Sequence, residues 1–445
     1  MKSNPRVFLS AGEASGDAYG ATLIAALRER LPVASFTGLG GSQMEDAGQE
    51  RVVKAEDVAV MGLTEILRHI PRIYGSYRKL VASIRRKRPD IAVLIDFPDV
   101  NFRLAKHLRR AGVPVVWFVS PQLWAWKRGR LRWVQERVDK MLVIFPFEER
   151  FYRERGVDAE FVGHPLAGTL QLSMSREAYA EVHRLDPAKT WIALLPGSRW
   201  KEIRSNLPAM HELAMSDLIT SSAAYTTFDG DTTMQPTDPA AHTRYEFLLP
   251  VASTIDADAL HRYIGELNAE HLKYFGPEAS SLRLTLVPDA PEALFHARAS
   301  VVASGTATVL AAIVGNPFVV VYRVSALTFA LAKKLIEYPE ELAGIEDDAG
   351  NLPVAMVNLI AGRRVVPELL QGRFTAANVA TELGRLLVEG PEREAQIAGL
   401  AEVRSSLEAT GSTSGLLGGS PVGRVAEAIL MLLERPPASQ SKAVN

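Results

Sequence analysis

Two carboxylates, Asp96 and Asp99, stand three residues apart at the end of the apolar run Ile91–Ile95. Like charges that are close together and partly desolvated raise one pKa toward the value that a general base needs. The alternative is that Asp99 or Asn101 caps the following helix, but a cap needs one acidic residue and leaves the second unexplained. The pair therefore favours acid–base chemistry.

Three loops of small residues follow other apolar runs, and each could bind an anion. They are Ala11–Asp17, which contains Glu13; Gly197, Ser198 and Arg199; and Ser304, Gly305 and Thr306. Glycine lets a ligand approach the backbone, a helix start offers unpaired N–H groups, and an arginine fork matches a diphosphate. A plain strand-to-helix turn explains the first and third loops equally well. In the second, Ser198 could cap the helix while Glu202 pairs locally, but the arginine favours phosphate binding.

Asn358 and Gln371 are polar groups in an apolar region, and they could hydrogen-bond a base or a sugar. They could equally be exposed positions on an amphipathic helix, and their spacing does not decide between these readings. The chain contains no Walker sequence, no G-x-G-x-x-G fingerprint, no paired-histidine motif and no cysteine. We therefore expect no metal and no cofactor.

The segment Thr64–Arg88 alternates apolar and basic residues at helical spacing, which is typical of helices that lie in an anionic membrane surface. The alternative is a surface helix that packs on the core and exposes its cations to water. The residues that we expect to meet lipid are Ile66, Leu67, Ile70, Arg72, Ile73, Tyr74, Tyr77 and Arg78.

The charge of this 445-residue chain is divided unequally, although the formal net charge is only -1. Residues 1–150 hold 25 basic and 16 acidic residues, whereas the remainder holds 25 basic and 35 acidic ones. The near-zero total argues against a general nucleic-acid binder. The basic N-terminal part, which carries Thr64–Arg88, instead favours docking on an anionic membrane surface.

Short apolar runs that alternate with helical patterns predict an α/β protein in which these residues sit at strand ends. The pattern of a strand followed by a glycine loop starts again near Trp191, so the sequence predicts two doubly wound, Rossmann-like domains facing across a cleft. The predicted strands are Arg6–Ser10, Ile91–Ile95, Val113–Val119, Lys140–Ile144, Phe247–Pro250, Leu282–Val287, Ser300–Ala303 and Phe318–Tyr322.

We place the domains at residues 1–175 and 176–400, followed by a C-terminal helical segment at 401–434. Polar segments at 216–242 and 341–352 are interpreted as insertions, and residues 435–445 as a disordered tail. The start of the chain has no long apolar region, so we expect no secretory signal.

In this order, several of these segments resemble lipid A disaccharide synthase, a family of inverting, metal-independent glycosyltransferases with the GT-B fold. The matching strings span about the first 375 residues. They include AGEASGD (11–17), IDFPDVN (95–101), FVSPQLWAW (118–126), FPFE (145–148), FVGHPLAG (161–168), LLPGSR (194–199), SGTAT (304–308) and NLIAGRRVVPELLQ (358–371).

The resemblance implies transfer of 2,3-diacylglucosamine from its UDP derivative to 2,3-diacylglucosamine 1-phosphate, which gives the lipid A disaccharide 1-phosphate and UDP. It also implies a homodimer with exchanged C-terminal segments. We expect a cytoplasmic protein that is peripherally associated with the inner membrane through its N-terminal, acceptor-binding domain.

The same resemblance assigns roles to residues. Asp99 matches the general base for the acceptor 6-hydroxyl, and Arg199 would stabilise the departing diphosphate in place of a metal. On the acceptor side, the residues that would line the site or orient Asp99 are Glu13, Asp90, Asp96 and Asn101. On the UDP side, the matching residues are Gly197, Ser198, Ser304, Gly305, Thr306, Asn358 and Gln371.

Two other functions stay open at this point. One is a nucleotide-sugar enzyme with a soluble substrate, which leaves the basic amphipathic segment unexplained. The other is a catalytically impaired protein that binds a nucleotide or a lipid, because Leu310 stands where the family has an acidic residue.

Overall fold

The computed structural model describes residues 4–58, 63–170, 172–215, 244–275, 284–336, 338, 342, 345–346, 350–408 and 419–434. The predicted insertion at 216–242 and the predicted tail at 435–445 lie outside these residues, and most of the predicted insertion at 341–352 does too. The described chain divides into two compact units. One lies within Met1–Gly168, Ile336–Glu341 and Leu407–Asn445, and the other within Thr169–Leu335 and Leu342–Ser406.

The first unit is built on a parallel sheet of seven strands in the order β3-β2-β1-β4-β5-β6-β7. The strands are β1 (Arg6–Ala11), β2 (Ser35–Gly40), β3 (Gln49–Lys54), β4 (Ile91–Ile95), β5 (Val115–Phe118), β6 (Lys140–Val143) and β7 (Ala159–Phe161). The helices are α1 (Ala14–Arg30), α2 (Ser42–Asp46), α3 (Leu63–Arg86), α4 (Pro98–Arg110), α5 (Leu131–Arg137), α6 (Pro146–Arg153) and α7 (Pro165–Thr169).

The second unit repeats this winding with a parallel sheet of six strands in the order β10-β9-β8-β11-β12-β13. The strands are β8 (Thr190–Leu195), β9 (Tyr245–Pro250), β10 (Leu284–Val287), β11 (Ala299–Ala303), β12 (Phe318–Tyr322) and β13 (Glu368–Leu370). The helices are α8 (Arg176–His183), α9 (Trp200–Met215), α10 (Ala257–Phe275), α11 (Ala290–His296), α12 (Thr306–Val314), α13 (Ala326–Leu335), α14 (Met356–Ala361), α15 (Ala376–Leu387) and α16 (Pro391–Leu407).

Burial on both faces explains why the central strands are continuously apolar. Every residue of β4 and of β5 is buried, and so is every residue of β11. Helices cover both faces of a parallel sheet, so these central strands have no exposed position and their sequences show no polar alternation. The predicted α/β class with two parallel sheets is confirmed.

The last helix, α17 (Pro421–Glu434), belongs to the first unit, where it packs against α1. The Nε of Arg424 donates to the carbonyl of Val162 over 2.9 Å, and this arginine is itself buried. The C-terminal end of the described chain is thereby fixed to the N-terminal unit. No helix of the described residues is long and apolar enough to cross a membrane.

The buried side chain of Asp17 connects α1 to the start of α2. Its carboxylate accepts hydrogen bonds from the backbone N–H groups of Gly41, Gln43 and Met44, over 2.7, 3.0 and 3.2 Å respectively. The acidic residue at the end of the first loop is therefore a structural support, and it satisfies the free N–H groups of a short helix.

We expect Asp17→Ala to lower the free energy of unfolding by about 2–4 kcal/mol, because three backbone donors lose a charged acceptor. Urea unfolding followed by circular dichroism measures the change. The exposed Asp46 lies on α2 itself and serves as the matched control, for which Asp46→Ala should change stability by less than about 0.5 kcal/mol. Equal effects of the two substitutions would contradict the role given to Asp17.

Candidate active site

The carboxyl ends of β1, β4 and β5 meet at one edge of the first sheet, because these strands are parallel neighbours. Gly12 and Glu13 follow β1, and Asp96 to Asp99 follow β4. This is the edge at which open parallel sheets present their functional groups. The structure therefore brings Glu13, Asp96 and Asp99 to the same edge of the first sheet.

The turn after β4 has an unusual backbone. Asp96 and Phe97 have φ values of 43° and 47°, in the left-handed region that residues with a side chain seldom adopt. The Phe97 ring lies directly on Gly12, where a Cβ would come within 2.4 Å of the ring. Glycine is needed at position 12 for this contact. Val119, after β5, is also left-handed with a φ of 63°, which is rarer still for a β-branched residue.

Asn101 is fully buried and holds this turn in place. Its Oδ1 accepts from the Ser10 hydroxyl over 2.6 Å, and its Nδ2 lies 2.7 Å from the carbonyl of Asp96 and 3.2 Å from that of Ile95. The side chain thus ties the end of β1 to the end of β4. Its hydrogen-bonding groups are used inside the protein, so Asn101 is a positioning residue and not one that lines the acceptor site.

Asp96 and Tyr19 are half-buried, and the exposed Glu13 lies close enough to Asp96 for their charges to interact. Burial, and to a smaller extent the negative charge of Glu13, raise the pKa of Asp96 to about 6. Burial, together with the charge of Asp96, raises the pKa of Tyr19 to about 12. Tyr19 was not predicted to be a site residue, and only its position on α1, six residues after Glu13, could have indicated it.

Asp99 has different surroundings, although it is only three residues away. It lies in the first turn of α4, and its side chain is 71% exposed. A guanidinium nitrogen of Arg130 is 2.8 Å from its carboxylate. The structure thus presents an ionic, solvent-facing carboxylate at the sheet edge, held by one arginine.

Asp90 is not part of this cluster, and its predicted role near Asp99 is wrong. It precedes β4 and so lies at the opposite, amino edge of the sheet, one strand length from Asp96. Its carboxylate accepts from the backbone N–H of Arg6 over 2.9 Å. Asp90 therefore supports the start of β1. It is far from Asp99 because a parallel strand rises about 3.3 Å per residue, and the whole of β4 lies between the two residues.

A second buried carboxylate, Glu148, was not identified from the sequence as a site residue. It is 1% exposed, and its Oε1 accepts from the Ser120 hydroxyl over 2.6 Å and from the Trp124 indole over 3.1 Å. Burial raises the pKa of Glu148 to about 7. This contact links the loop after β5 to the start of α6. Ser120 and Trp124 lie in the string FVSPQLWAW, and Glu148 lies in FPFE. The presence of both strings was the sequence feature that could have indicated this contact.

In the second unit, the predicted UDP-side loops share one sheet edge, because β8, β11, β12 and β13 are consecutive neighbours. Gly197–Arg199 follow β8, and Ser304–Thr306 follow β11. Gln371 directly follows β13, and its Oε1 accepts from the Val324 backbone over 2.9 Å. The edge therefore brings together two backbone turns and one amide side chain.

Glu202 occupies the start of α9, where the sequence predicted a diphosphate. Its Oε2 accepts from the backbone N–H groups of Ser198 and Arg199, over 2.9 and 3.3 Å. Its other oxygen lies 3.5 Å from the Arg199 guanidinium. Gly197 has a φ of 127°, and a Cβ there would collide with Glu202. The turn thus holds an internal anion on the groups that suit a phosphate.

The predicted contact of Asn358 with the nucleotide is contradicted. Asn358 is fully buried, its Oδ1 accepts from the backbone of Val365 and Val366, and its Nδ2 donates to Glu368 over 2.8 Å. All of these partners lie in the loop before β13 or in that strand. The residue shapes this loop from inside, and its amide does not reach the sheet edge.

The predicted lipid-facing residues lie on α3. The side chains of Ile66, Leu67 and Ile70 lie outside the described part of the structure. The other five divide into two groups, since Arg72, Tyr74 and Arg78 are exposed whereas Ile73 and Tyr77 are half-buried. The described residues of α3 thus present cations and one aromatic ring to solvent.

Within the described residues, no group of three or more histidine, aspartate or glutamate side chains is placed to hold a metal ion.

Comparison with known families gives a match over most of the chain. The family model described as lipid-A-disaccharide synthetase matches residues 7–224 and 265–414. A lipid-A-disaccharide synthase from Acidobacterium capsulatum is 49% identical over 441 residues, which cover 98% of this chain and 99% of the relative.

Solved structures give the fold. A kitacinnamycin glycotransferase aligns over 96% of this chain and 99% of its own, with a TM-score of 0.56 at 13% identity. The calicheamicin glycosyltransferase CalG4 aligns over 98% of this chain and 99% of its own, with a TM-score of 0.52 at 15% identity. The predicted GT-B class is confirmed as a pair of Rossmann-like domains.

We expect Asp96→Asn to stabilise the protein at pH 7.5 but not at pH 4. The folded-state pKa of about 6 lies above the ordinary value of 3.8, so the wild-type protein loses stability as the pH rises from about 4 to 6. Asparagine does not titrate, and it tolerates the left-handed backbone. The gain at pH 7.5 should be about 1–3 kcal/mol in urea unfolding.

Asp46→Asn removes an exposed carboxylate and controls for the loss of charge as such. A gain for Asp96→Asn that is equal at the two pH values, or larger at pH 4, would contradict the assignment of a desolvated carboxyl.

Proposed function

We infer the reaction of this chain from its family, because it belongs to the lipid-A-disaccharide synthases. It is a hexosyltransferase that acts in lipid A disaccharide synthesis. We propose that it transfers 2,3-diacylglucosamine from UDP-2,3-diacylglucosamine to 2,3-diacylglucosamine 1-phosphate. The products are the disaccharide 1-phosphate and UDP. The observation that carries the proposal is the pair of strand-end clusters, carboxylates in the first unit and anion-binding turns in the second.

In this reaction the 6-hydroxyl oxygen of the acceptor attacks the anomeric carbon of the donor. The bond between that carbon and the diphosphate oxygen breaks, and UDP leaves with the electron pair. The hydroxyl proton passes to a carboxylate, for which we propose Asp99. Its exposure of 71% at the sheet edge leaves room for a sugar, and a positioned base contributes about 10²–10⁴-fold.

The departing diphosphate needs compensation for its growing negative charge. We propose that the backbone N–H groups of Ser198 and Arg199 and the Arg199 guanidinium supply it. Glu202 accepts from these N–H groups, so binding of the diphosphate requires this carboxylate to move away. The Glu202 carboxylate is an anion that binds at this turn, and it supports the proposal because the same N–H donors suit phosphate oxygens.

The nucleoside is expected along the neighbouring strand ends of the second unit. The backbone of Ser304–Thr306 lies at the start of α12, and a Cβ at Gly305 would meet no atom. Gln371 stands two strands further along the same edge. We propose that these groups contact the ribose, the phosphate or the uracil.

Association with a membrane surface and dimerisation complete the proposal. Arg72, Tyr74 and Arg78 of α3 are exposed and combine positive charge with an aromatic ring, which suits an anionic lipid surface. For the homodimer, we propose an exchange of α17 between two chains. Within one chain α17 packs on α1, which is the contact that an exchanged helix would make with its partner.

The proposed reaction is tested with the purified protein and both substrates in detergent, with EDTA present. Disaccharide and UDP should form in equal amounts. Absence of product from the wild-type protein would overturn the proposed reaction. Activity that EDTA abolishes would overturn only the metal-free mechanism.

We expect Asp99→Asn to lower kcat by about 10²–10⁴-fold, because the amide keeps the shape of the side chain but cannot take the proton. The dissociation constant for UDP should stay within about twofold, since UDP does not contact this residue in the proposed mechanism. Asp158→Asn, an exposed carboxylate of the same unit, should leave kcat unchanged. Turnover that survives Asp99→Asn but not Asp96→Asn would indicate that Asp96 is the general base.

We expect Arg199→Ala to weaken UDP binding by about 10- to 100-fold, because the diphosphate loses a charge-assisted hydrogen bond. Isothermal titration calorimetry measures this constant directly. Arg204→Ala, on the helix that follows Arg199, removes an exposed arginine that stacks on Trp200, and it should leave UDP binding unchanged. An equal loss of UDP affinity in both variants would indicate that net charge, and not a specific contact of Arg199, determines UDP binding.

A further inference from the structure

A cavity of about 360 Å³ opens beside Asp99 in the first unit. It lies between α4, α5 and the side chain of Tyr77 on α3. Its charged lining residues are Asp99, Arg103, Lys106, Arg110, Arg130 and Arg137. Five cations thus surround one carboxylate in a space that is large enough for a small polar ligand.

Helical spacing explains why the charges line one wall. Asp99, Arg103, Lys106 and Arg110 stand at intervals of four, three and four residues on α4, so they share one face. Along the helix axis, Arg103 is about 6 Å and Lys106 about 10 Å from Asp99. The carboxylate therefore marks one end of a row of cations.

Aromatic rings form the floor of the cavity and hold its arginines. The rings of Phe102 and Trp133 are 5.5 Å apart. The Arg130 guanidinium lies 5.9 Å from the first ring and 5.6 Å from the second, and that of Arg137 lies 4.9 Å from Trp133. Stacking on a ring fixes a guanidinium plane and leaves its N–H edge available for an anion.

The described residues neutralise the positive charge of the cavity only in part, because Arg130 pairs with Asp99 and Arg137 lies 3.9 Å from Glu136. Within the part of the chain that the structure describes, Arg103, Lys106 and Arg110 make no ion pair with a carboxylate. The pKa of His107, which also lines the cavity, is lowered by burial and by the charges of Arg85, Arg110 and Lys106. A concentration of cations with one exposed carboxylate at its rim suits a multiply charged anion.

We propose that this cavity binds the phosphomonoester of the acceptor sugar, an inference that rests on the proposed function. The acceptor carries its 1-phosphate and its 6-hydroxymethyl group on the two carbons that flank the ring oxygen, so the phosphate and the reacting hydroxyl are close to each other. A base at one end of α4 and a row of cations along its next turns match this arrangement. The phosphate would accept hydrogen bonds from Arg103, Lys106 and Arg130.

Arg130 would couple binding of the phosphate to release of the proposed base, Asp99. In the structure its guanidinium is paired with Asp99 over 2.8 Å. A phosphate that draws Arg130 into the cavity releases Asp99 for the hydroxyl proton. Binding of the correct acceptor would thus prepare the base, and an acceptor without phosphate would leave the base engaged.

The test replaces Arg103 and Lys106 together, as Arg103→Gln with Lys106→Gln. Both side chains are exposed, so we expect the double variant to fold. For the phosphorylated acceptor, kcat/KM should fall by about 10²-fold, because two charge-assisted hydrogen bonds are lost. For an acceptor that lacks the phosphate, kcat/KM should change by less than about threefold, and KM for the UDP-sugar should not change.

A binding measurement separates this proposal from the proposed reaction. Glucosamine 1-phosphate and glucosamine are titrated into the wild-type protein and the double variant, without any donor. Wild-type protein should prefer the phosphate, and the variant should lose that preference. Absence of turnover in the wild-type protein contradicts the reaction, whereas absence of a phosphate preference contradicts the cavity assignment.

The matched control is Arg109→Gln with Arg132→Gln, which removes two exposed cations of α4 and α5 that do not line the cavity. It should leave the phosphate preference intact. An equal loss with both acceptors in the Arg103 and Lys106 variant would overturn the proposal. So would reduced binding to vesicles of phosphatidylglycerol and phosphatidylethanolamine with an unchanged acceptor preference, because the cavity would then serve bilayer headgroups.

Discussion

The site of the first unit depends on one strained turn, at Asp96 and Phe97. Left-handed backbone costs about 1–3 kcal/mol for a residue with a side chain, and here two such residues are consecutive. The buried Asn101 offsets this cost, because its amide bonds the carbonyls at the end of β4 while its oxygen accepts from Ser10 on β1. Gly12 completes the turn by leaving space for the Phe97 ring. These contacts fix the start of α4 relative to the paired ends of β1 and β4.

The turn also explains why two carboxylates three residues apart acquire different properties. Asp96 belongs to the end of the strand, where burial and the charge of Glu13 raise its pKa. Asp99 belongs to the first turn of a helix, where its side chain is 71% exposed and lies 2.8 Å from the Arg130 guanidinium. The turn therefore places one carboxylate in a desolvated position and the other in solvent.

The sequence was informative where burial acts on both faces of an element. The strands Ile91–Ile95 and Phe318–Tyr322 match their predicted bounds, because two-sided burial produces uninterrupted apolar runs. β2 and β3 were missed: one contains two glycines, and the other is mostly polar. Positions after strands were found because parallel strands present their ends together. The partner of Asn101 and the role of Asp90 were not, since the residues that they contact lie 91 and 84 residues away in sequence.

The two units differ in the charge that surrounds their proposed anion-binding sites. At the start of α9, Glu202 satisfies the free N–H groups itself, so this helix end is stable without a ligand. A ligand must displace that carboxylate, which a diphosphate with several charged oxygens can do better than a neutral or singly charged group. In the cavity beside Asp99, the described lining residues include five cations and one carboxylate. An anion bound there as proposed would relieve part of the repulsion among these cations, whereas a diphosphate bound as proposed at the start of α9 would replace one anion by another. The two proposed sites thus select a charged ligand in different ways, by internal competition in one and by excess positive charge in the other.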